Sequence, residues 1–205
     1  MTATPTRVEP GKLDRYDERR AELAESALAT LAELGFARTS LREIAQNSEF
    51  SHGVVHYYFA NKIELITYCV RYYKATCVTR YDDLVATAAT AEELATGFAD
   101  KLVETITDEA PMHRLWYDLR TQAMFEPELR EAVLEIDHTL ELMIWRIVLR
   151  YAELSGGEPA FSSATTYAIF DGIFEKGLLS YLTGDLVALD DLRSRALAVA
   201  GSIVR

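Results

Sequence analysis

The chain has 205 residues, 49% of them hydrophobic and 26% charged, which excludes a disordered or low-complexity protein and allows one large domain or two small ones with a real core. The net charge of −11 excludes a uniformly basic nucleic-acid binder. The charge is unevenly spread, however, with seven Lys/Arg against nine Asp/Glu in residues 1–60 and 14 against 23 in residues 61–205; a near-neutral N-terminal part can still gather its cations on one face.

The opening stretch, MTATPTRVEPGKLDRYDERR, has no apolar h-region, and no later run of about 18 uncharged apolar residues suggests a membrane span, so a cytoplasmic protein without a membrane partner is expected. Residues 1–13, with Pro5, Pro10 and Gly11 and no period, are expected to form an arm. From Asp14 the pattern is helical almost to the end, with no sustained period-two alternation and hence no sheet. A first helix is expected over about 14–34, with Leu23, Ala27, Leu31 and Leu34 along one face and Gly35 as its stop. Ser40-Leu41-Arg42-Glu43 is a capping box that opens a short second helix, and Ser51 opens a third that runs to about Tyr58. Asn61-Lys62-Ile63-Glu64 opens a long fourth helix to about Ala88, and Thr90 caps a fifth to about Asp108. Pro111 and Pro127 suit the first turns of a sixth (111–125) and a seventh (127–154). An eighth is expected over 159–182 and a ninth over 190–204, giving a three-helix unit (residues 14–60) and a six-helix bundle (residues 61–205). The two cysteines, Cys69 and Cys77, would stand about 12 Å apart on one helix, too far for a disulfide.

Two short capped helices joined by a tight turn and braced by a longer one form a helix-turn-helix layout. At 100° per residue, His52, Gly53, His56 and Tyr57 fall on the outer side of the third helix, and Val54, Val55 and Tyr58 on the other. Imidazole and phenol groups can donate to base edges or phosphates, and a glycine permits close approach to a major groove. Ser40 and Arg42, with Lys62 at the start of the fourth helix, would supply flanking phosphate contacts.

This segment resembles the DNA-binding domain of the tetracycline-repressor (TetR) family. The resemblance is carried by the Leu/Ala-rich first helix ending in Gly35-Phe36, then Thr39-Ser40, Ile44-Ala45 and Phe50-Ser51-His52-Gly53. It continues through Val55-His56-Tyr57-Tyr58-Phe59 and Asn61-Lys62-Ile63-Glu64-Leu65. It implies a homodimeric repressor on a near-palindromic double-stranded operator, released by a small-molecule effector. The implied DNA-facing residues are Arg42, His52, Gly53, Val54, His56, Tyr57 and Lys62. The family usually carries tyrosine where this chain has His56. Beyond residue 66 only the helical plan is shared.

In the bundle, Tyr167, Phe170, Asp171 and Phe174 share one helix face at i, i+3, i+4, i+7, so a carboxylate sits in an aromatic stripe. Burying it alone is costly, which asks for a partner such as Arg120 or Arg146, or for a ligand. The expected ligand site has Trp116, Tyr117, Phe125, Tyr167, Phe170 and Phe174 as walls, with Arg120 and Asp171 as its polar groups. Aromatic walls around a free Asp171 favour a cationic ligand; an Arg120–Asp171 pair would leave a neutral cavity or one for an anion. Dimerisation is expected through the eighth and ninth helices, whose apolar residues include Leu178, Leu179, Leu182, Leu192 and Ile203, with Gly172 and Gly177 allowing close approach. No nucleophile elbow, phosphate loop or metal-ligand spacing stands out, so no catalytic residues, cofactor or metal are expected. A DNA-binding dimer without a ligand and an all-helical enzyme are the alternatives.

Overall fold

A computed structural model of the chain describes residues 10–205, with side chains from Arg15 onward. The arm expected over residues 1–13 lies outside the described residues as far as residue 9, and residues 10–13 join the first helix. The helices are α1 (Pro10–Arg38), α2 (Leu41–Gln46), α3 (His52–Tyr58), α4 (Lys62–Cys77), α5 (Asp82–Thr87), α6 (Ala91–Ala123), α7 (Pro127–Ser155), α8 (Ser163–Leu182) and α9 (Ala188–Ala200). Among the described residues the β-structure amounts to one isolated bridge, Pro159 with Val204, and no helix is long and apolar enough to cross a membrane.

Side-chain caps set many of the helix starts. Ser40 Oγ accepts from Glu43 N at 3.3 Å while Glu43 accepts from Ser40 N at 2.7 Å, completing the capping box on α2. Ser51 caps α3 through Val54 N, Thr90 caps α6 through Glu93 N, and Ser162 caps α8 through Thr165 N. Gly35 stands at φ 75, ψ 175 inside the last stretch of α1, a conformation open in practice to glycine alone, so the regular helix stops there as its sequence implies.

Several boundaries differ from expectation, among them the start of the eighth helix, which is Ser163 rather than 159. The fourth helix ends at Cys77, and a turn at 78–81 separates it from the short α5. Thr76 and Thr79 hydroxyls donate to the carbonyls of Tyr73 and Thr76, competing with the helix ladder, and Arg146 of α7 holds the turn through Val78 O at 2.6 Å and Asp82 at 2.9 Å. The fifth and sixth predicted helices are one element, α6, which contains Pro111 and is kinked at Glu109 (φ −132, ψ 23) rather than interrupted. At the end, α9 closes at Ala200 and Ile203–Arg205 pair with Glu158–Ala160.

The chain falls into two compact units that divide at Tyr72/Tyr73, inside α4 rather than at its start. In the first, Leu23, Ala27 and Leu31 of α1 pack with Ile44, Val55, Phe59, Leu65 and Ile66, all fully buried, each large side chain contributing about 1.5–3 kcal/mol. Arg20 braces this core: it bonds Glu64 at 2.7 Å and lies 4.7 Å over the rings of Phe59 and Tyr68. In the second unit, α6 packs against α7, α8 and α9, with Leu94, Ile106, Leu115, Trp116, Leu119 and Leu129 fully buried. Several residues expected at a dimer face serve this core instead. Leu178, Leu192 and Ile203 are buried within the chain, and a Cβ on Gly177 would stand 3.2 Å from Leu192 Cβ. The exposed stripe of α8 consists of Ala168, Gly172, Glu175, Lys176, Leu179 and Leu182.

Candidate DNA-facing surface and ligand pocket

In the first unit, α3 presents His52, Gly53, His56 and Tyr57 outward, while Val55 is wholly buried and Val54 and Tyr58 are half-buried. The arrangement follows from Val55 and Phe59 being drawn into the core, which turns the intervening residues out. Tyr57 is 71% exposed although aromatic, and its ring stands edge-on to Tyr58 at 5.0 Å and to Tyr16 at 6.2 Å. The His52 and His56 rings meet at 4.4 Å, and the space beyond Gly53 is open. Ser40 and Arg42 are exposed at the start of α2. Lys62, in the first turn of α4, holds its Nζ 4.2 Å over the Phe36 ring. Ser40, Arg42, His52, Gly53, His56 and Tyr57 of the sequence-derived set are thus exposed, and Val54 and Lys62 half-buried.

In the second unit the end of α4, α5's flanking turn, α6, α7 and α8 line a cavity of about 70 Å³, well above the roughly 10–15 Å³ that one water needs. Trp116, Tyr117, Tyr167, Phe170, Asp171 and Phe174 all line it, as their spacing implies. Phe125 does not. The helix ends at Ala123, so Phe125 falls in the turn before Pro127 and is 76% exposed. Arg120 reaches the site indirectly. It pairs with Asp171, which also accepts from Tyr117 Oη at 3.0 Å, and its Nε lies 3.6 Å from Asp137. Asp137 in turn accepts from Tyr167 Oη at 2.8 Å. Burial disfavours the Arg120 charge, yet the Asp171 carboxylate holds its pKa above the usual guanidinium value. The carboxylate of the aromatic stripe is therefore satisfied inside the protein.

Sequence reasoning missed the other half of the lining: Lys74, Cys77, Arg80, Tyr81, Thr105 and His113. The signal was present in part. Ile66, Val70, Lys74 and Cys77 recur at i, i+4, i+8, i+11 on α4, so a lysine occupies a buried stripe. Lys74 is only 3% exposed, and burial lowers its pKa to about 8. Its Nζ lies 3.5 Å from His113 Nδ1 and about 5.3 Å over the Trp116 ring. Burial, reinforced by Lys74 and Arg80, pushes His113 down to about 2, so its ring is neutral. Tyr73 Oη sits 3.3 Å from His113 Nε2 and donates to Glu109, which also pairs with Arg80. Burial works against the Glu109 charge, but the bonds from Tyr73 and Arg80 keep its pKa below the carboxylate norm.

A capped α2–turn–α3 unit with an exposed outer face has the layout of a helix-turn-helix domain. The family model for bacterial regulatory proteins of the tetR family matches residues 23–69. The match takes in the whole of α2 and α3. It is 30% identical over 121 residues to the HTH-type transcriptional regulator BetI of Burkholderia thailandensis, a match covering 58% of this chain and 62% of that protein; it therefore spans less than two thirds of that relative. Solved structures share the fold over nearly the whole chain. The transcriptional regulator FadR from Bacillus subtilis, in complex with stearoyl-CoA, has a TM-score of 0.70 at 18% identity, covering 90% of this chain and 99% of that one. A protein from Saccharomonospora viridis in complex with choline has a TM-score of 0.65 at 21% identity, covering 92% and 99%.

Proposed function

We propose that this protein is a homodimeric transcriptional repressor that grips a near-palindromic operator through α3 and is released when a small molecule enters the α4–α8 cavity. The observation that carries it is the outward face of α3, where His52, Gly53, His56 and Tyr57 stand exposed on a helix whose other side is locked into the core. Exposed aromatic and imidazole groups around a glycine are chemistry for a groove, not for a solvated surface. In this scheme Arg42, Ser40 and Lys62 hold flanking phosphates, and His52 and His56 read bases. The cavity supports the effector half of the proposal, as do the small-molecule complexes of two neighbours of the same fold.

The switch runs through α4. Lys62 stands in its first turn and Lys74 in its last. A ligand that fits one setting of α4 better biases the separation of the two α3 helices in the dimer, which must match the roughly 34–36 Å repeat of adjacent major grooves. The dimer itself would use the exposed stripe of α8. The test is selection of bound sites from random duplex DNA with the purified protein. Enrichment of an inverted repeat is expected; a pool that stays random overturns the proposal.

A further inference from the structure

Among the described residues, Lys74 is the one charge lining the cavity that has no directly bonded counter-charge. Arg80 is matched by Glu109, and Asp171 is matched by Arg120 with a further bond from Tyr117. Lys74 has no carboxylate within ion-pair distance among the described residues. Its three N–H groups find one long contact, the neutral His113 Nδ1 at 3.5 Å, and the faces of Trp116 and Tyr73 at 5.3 and 5.4 Å. A second donor in the same wall is also unmet, since the buried Trp116 Nε1 has no hydrogen-bond acceptor. Buried donors left without acceptors are destabilising, and a buried charge without a partner more so.

From this geometry we infer that the effector carries an anionic carboxylate group, received by Lys74 and the Trp116 indole N–H, on a small apolar body held by Leu102, Leu140, Met143 and Phe174. The inference rests on the effector-binding reading above and names the chemistry of that same site. A carboxylate offers two oxygens to the unmet donors, and the bond to an ammonium is of the stronger, charge-assisted kind. A cationic guest would meet Lys74 and Arg80 in the wall while finding Asp171 already engaged by Arg120, adding like charge in a low-dielectric site. The aromatic lining that suits a cation when Asp171 is imagined free is thus occupied from within. The cavity of about 70 Å³ selects a small acid unless the walls part. The choline-bound neighbour shares the fold at 21% identity, and its ligand implies nothing about Lys74.

The test is isothermal titration and thermal shift on the full chain at pH 7 with benzoate, hexanoate and decanoate, their amides, and choline. At least one carboxylate should bind saturably, and its amide should bind at least about tenfold more weakly, the scale of one hydrogen bond to a charged group. Lys74→Met and Lys74→Gln should abolish the carboxylate signal, and Trp116→Phe should weaken it. Amide or choline binding as tight as the acid, carboxylate affinity retained in both Lys74 variants, or no saturable signal from any acid would each overturn the inference. The wild-type comparison of acid with amide decides the matter even if a variant misfolds. Repeating the titrations on DNA-bound protein separates the two claims. Acid binding without DNA release contradicts the repressor mechanism and keeps the ligand class; release by choline with no acid binding does the reverse.

Discussion

An ammonium group buried without a carboxylate works against the fold that encloses it. Lys74 keeps a pKa of about 8 against an ordinary 10.5, so the unfolded chain binds its proton more tightly, a penalty of about 3 kcal/mol when fully expressed. Lys74→Met is therefore expected to stabilise the unliganded protein at pH 7 by about 1–3 kcal/mol in urea unfolding. That gain should shrink as pH rises from 8 to 10.5, where the unfolded chain loses its proton too. The same window governs acid binding, which should weaken above about pH 8 as Lys74 discharges. The groups facing Lys74 from its neighbours are Cys77 and Arg80 beside it, Glu109 and His113 on α6, and Asp171 on α8. His113, held neutral down to about 2, acts in the opposite range. Below the ordinary 6.5 the unfolded chain takes up a proton the folded one refuses, so stability falls by up to about 1.4 kcal/mol per pH unit on acidification. His113→Gln should flatten the pH 6.5–4.5 limb of a melting-temperature profile, and an unchanged limb would contradict the neutral imidazole. At the proposed DNA face, Lys62→Ala should weaken binding to all duplexes alike and lower the salt slope by about one. His52→Ala should cost about 1–3 kcal/mol and change the preferred bases; loss of affinity with unaltered preference would move His52 from base to phosphate. The α3 face was legible because helical spacing alone fixes its two sides. Lys74 and His113 were not, because their stripes are readable but the cavity they meet depends on where α6 bends and α4 stops.

Local chemistry specifies most of the helices, and where it competes with itself the boundaries shift. Ser40, Ser51 and Thr90 each cap a helix start through a backbone N–H and stand in the sequence as plain start signals, whereas Ser162 caps α8, whose start the sequence pattern places at Pro159. Proline was the ambiguous one. Pro111 reads equally as the first residue of a new helix or as a bend within a longer one, and the unbroken packing of Ile106, Ala110 and Leu115 favours the bend. The stop after Cys77 needs Arg146, far along the chain, to hold the turn, which is tertiary information that no local window carries. Gly35→Ala tests the α1 stop: at φ 75, ψ 175 a Cβ is strained by about 1–3 kcal/mol. The expected outcome is a lower urea midpoint with an unchanged slope. Ser40→Ala, removing one cap, is expected to cost about 1 kcal/mol.

For the molecule as a whole, the acidic balance that looked wrong for a DNA-binding protein resides mostly beyond residue 60, in the part that carries the cavity. The near-neutral first unit needs only to gather Arg42, Lys62 and the imidazoles on one side. Dimerisation was foreseen on α8 and α9 together, yet Leu192 and Ile203 are spent on the protein's own core, and apolar periodicity cannot tell a subunit face from an internal one. Leu179 and Leu182 of α8 stay exposed, and the proposed dimer would use them. Leu179→Glu is expected to convert a dimer to a monomer in analytical ultracentrifugation at micromolar concentration. The most direct measurement of the DNA-binding claim is fluorescence anisotropy of the selected inverted repeat, a half-site and a shuffled duplex at fixed physiological salt. Two chains should bind the full repeat about 10³-fold or more tighter than the shuffled duplex, with the half-site far weaker. Equal affinity for repeat and shuffled DNA would contradict sequence-specific recognition by α3.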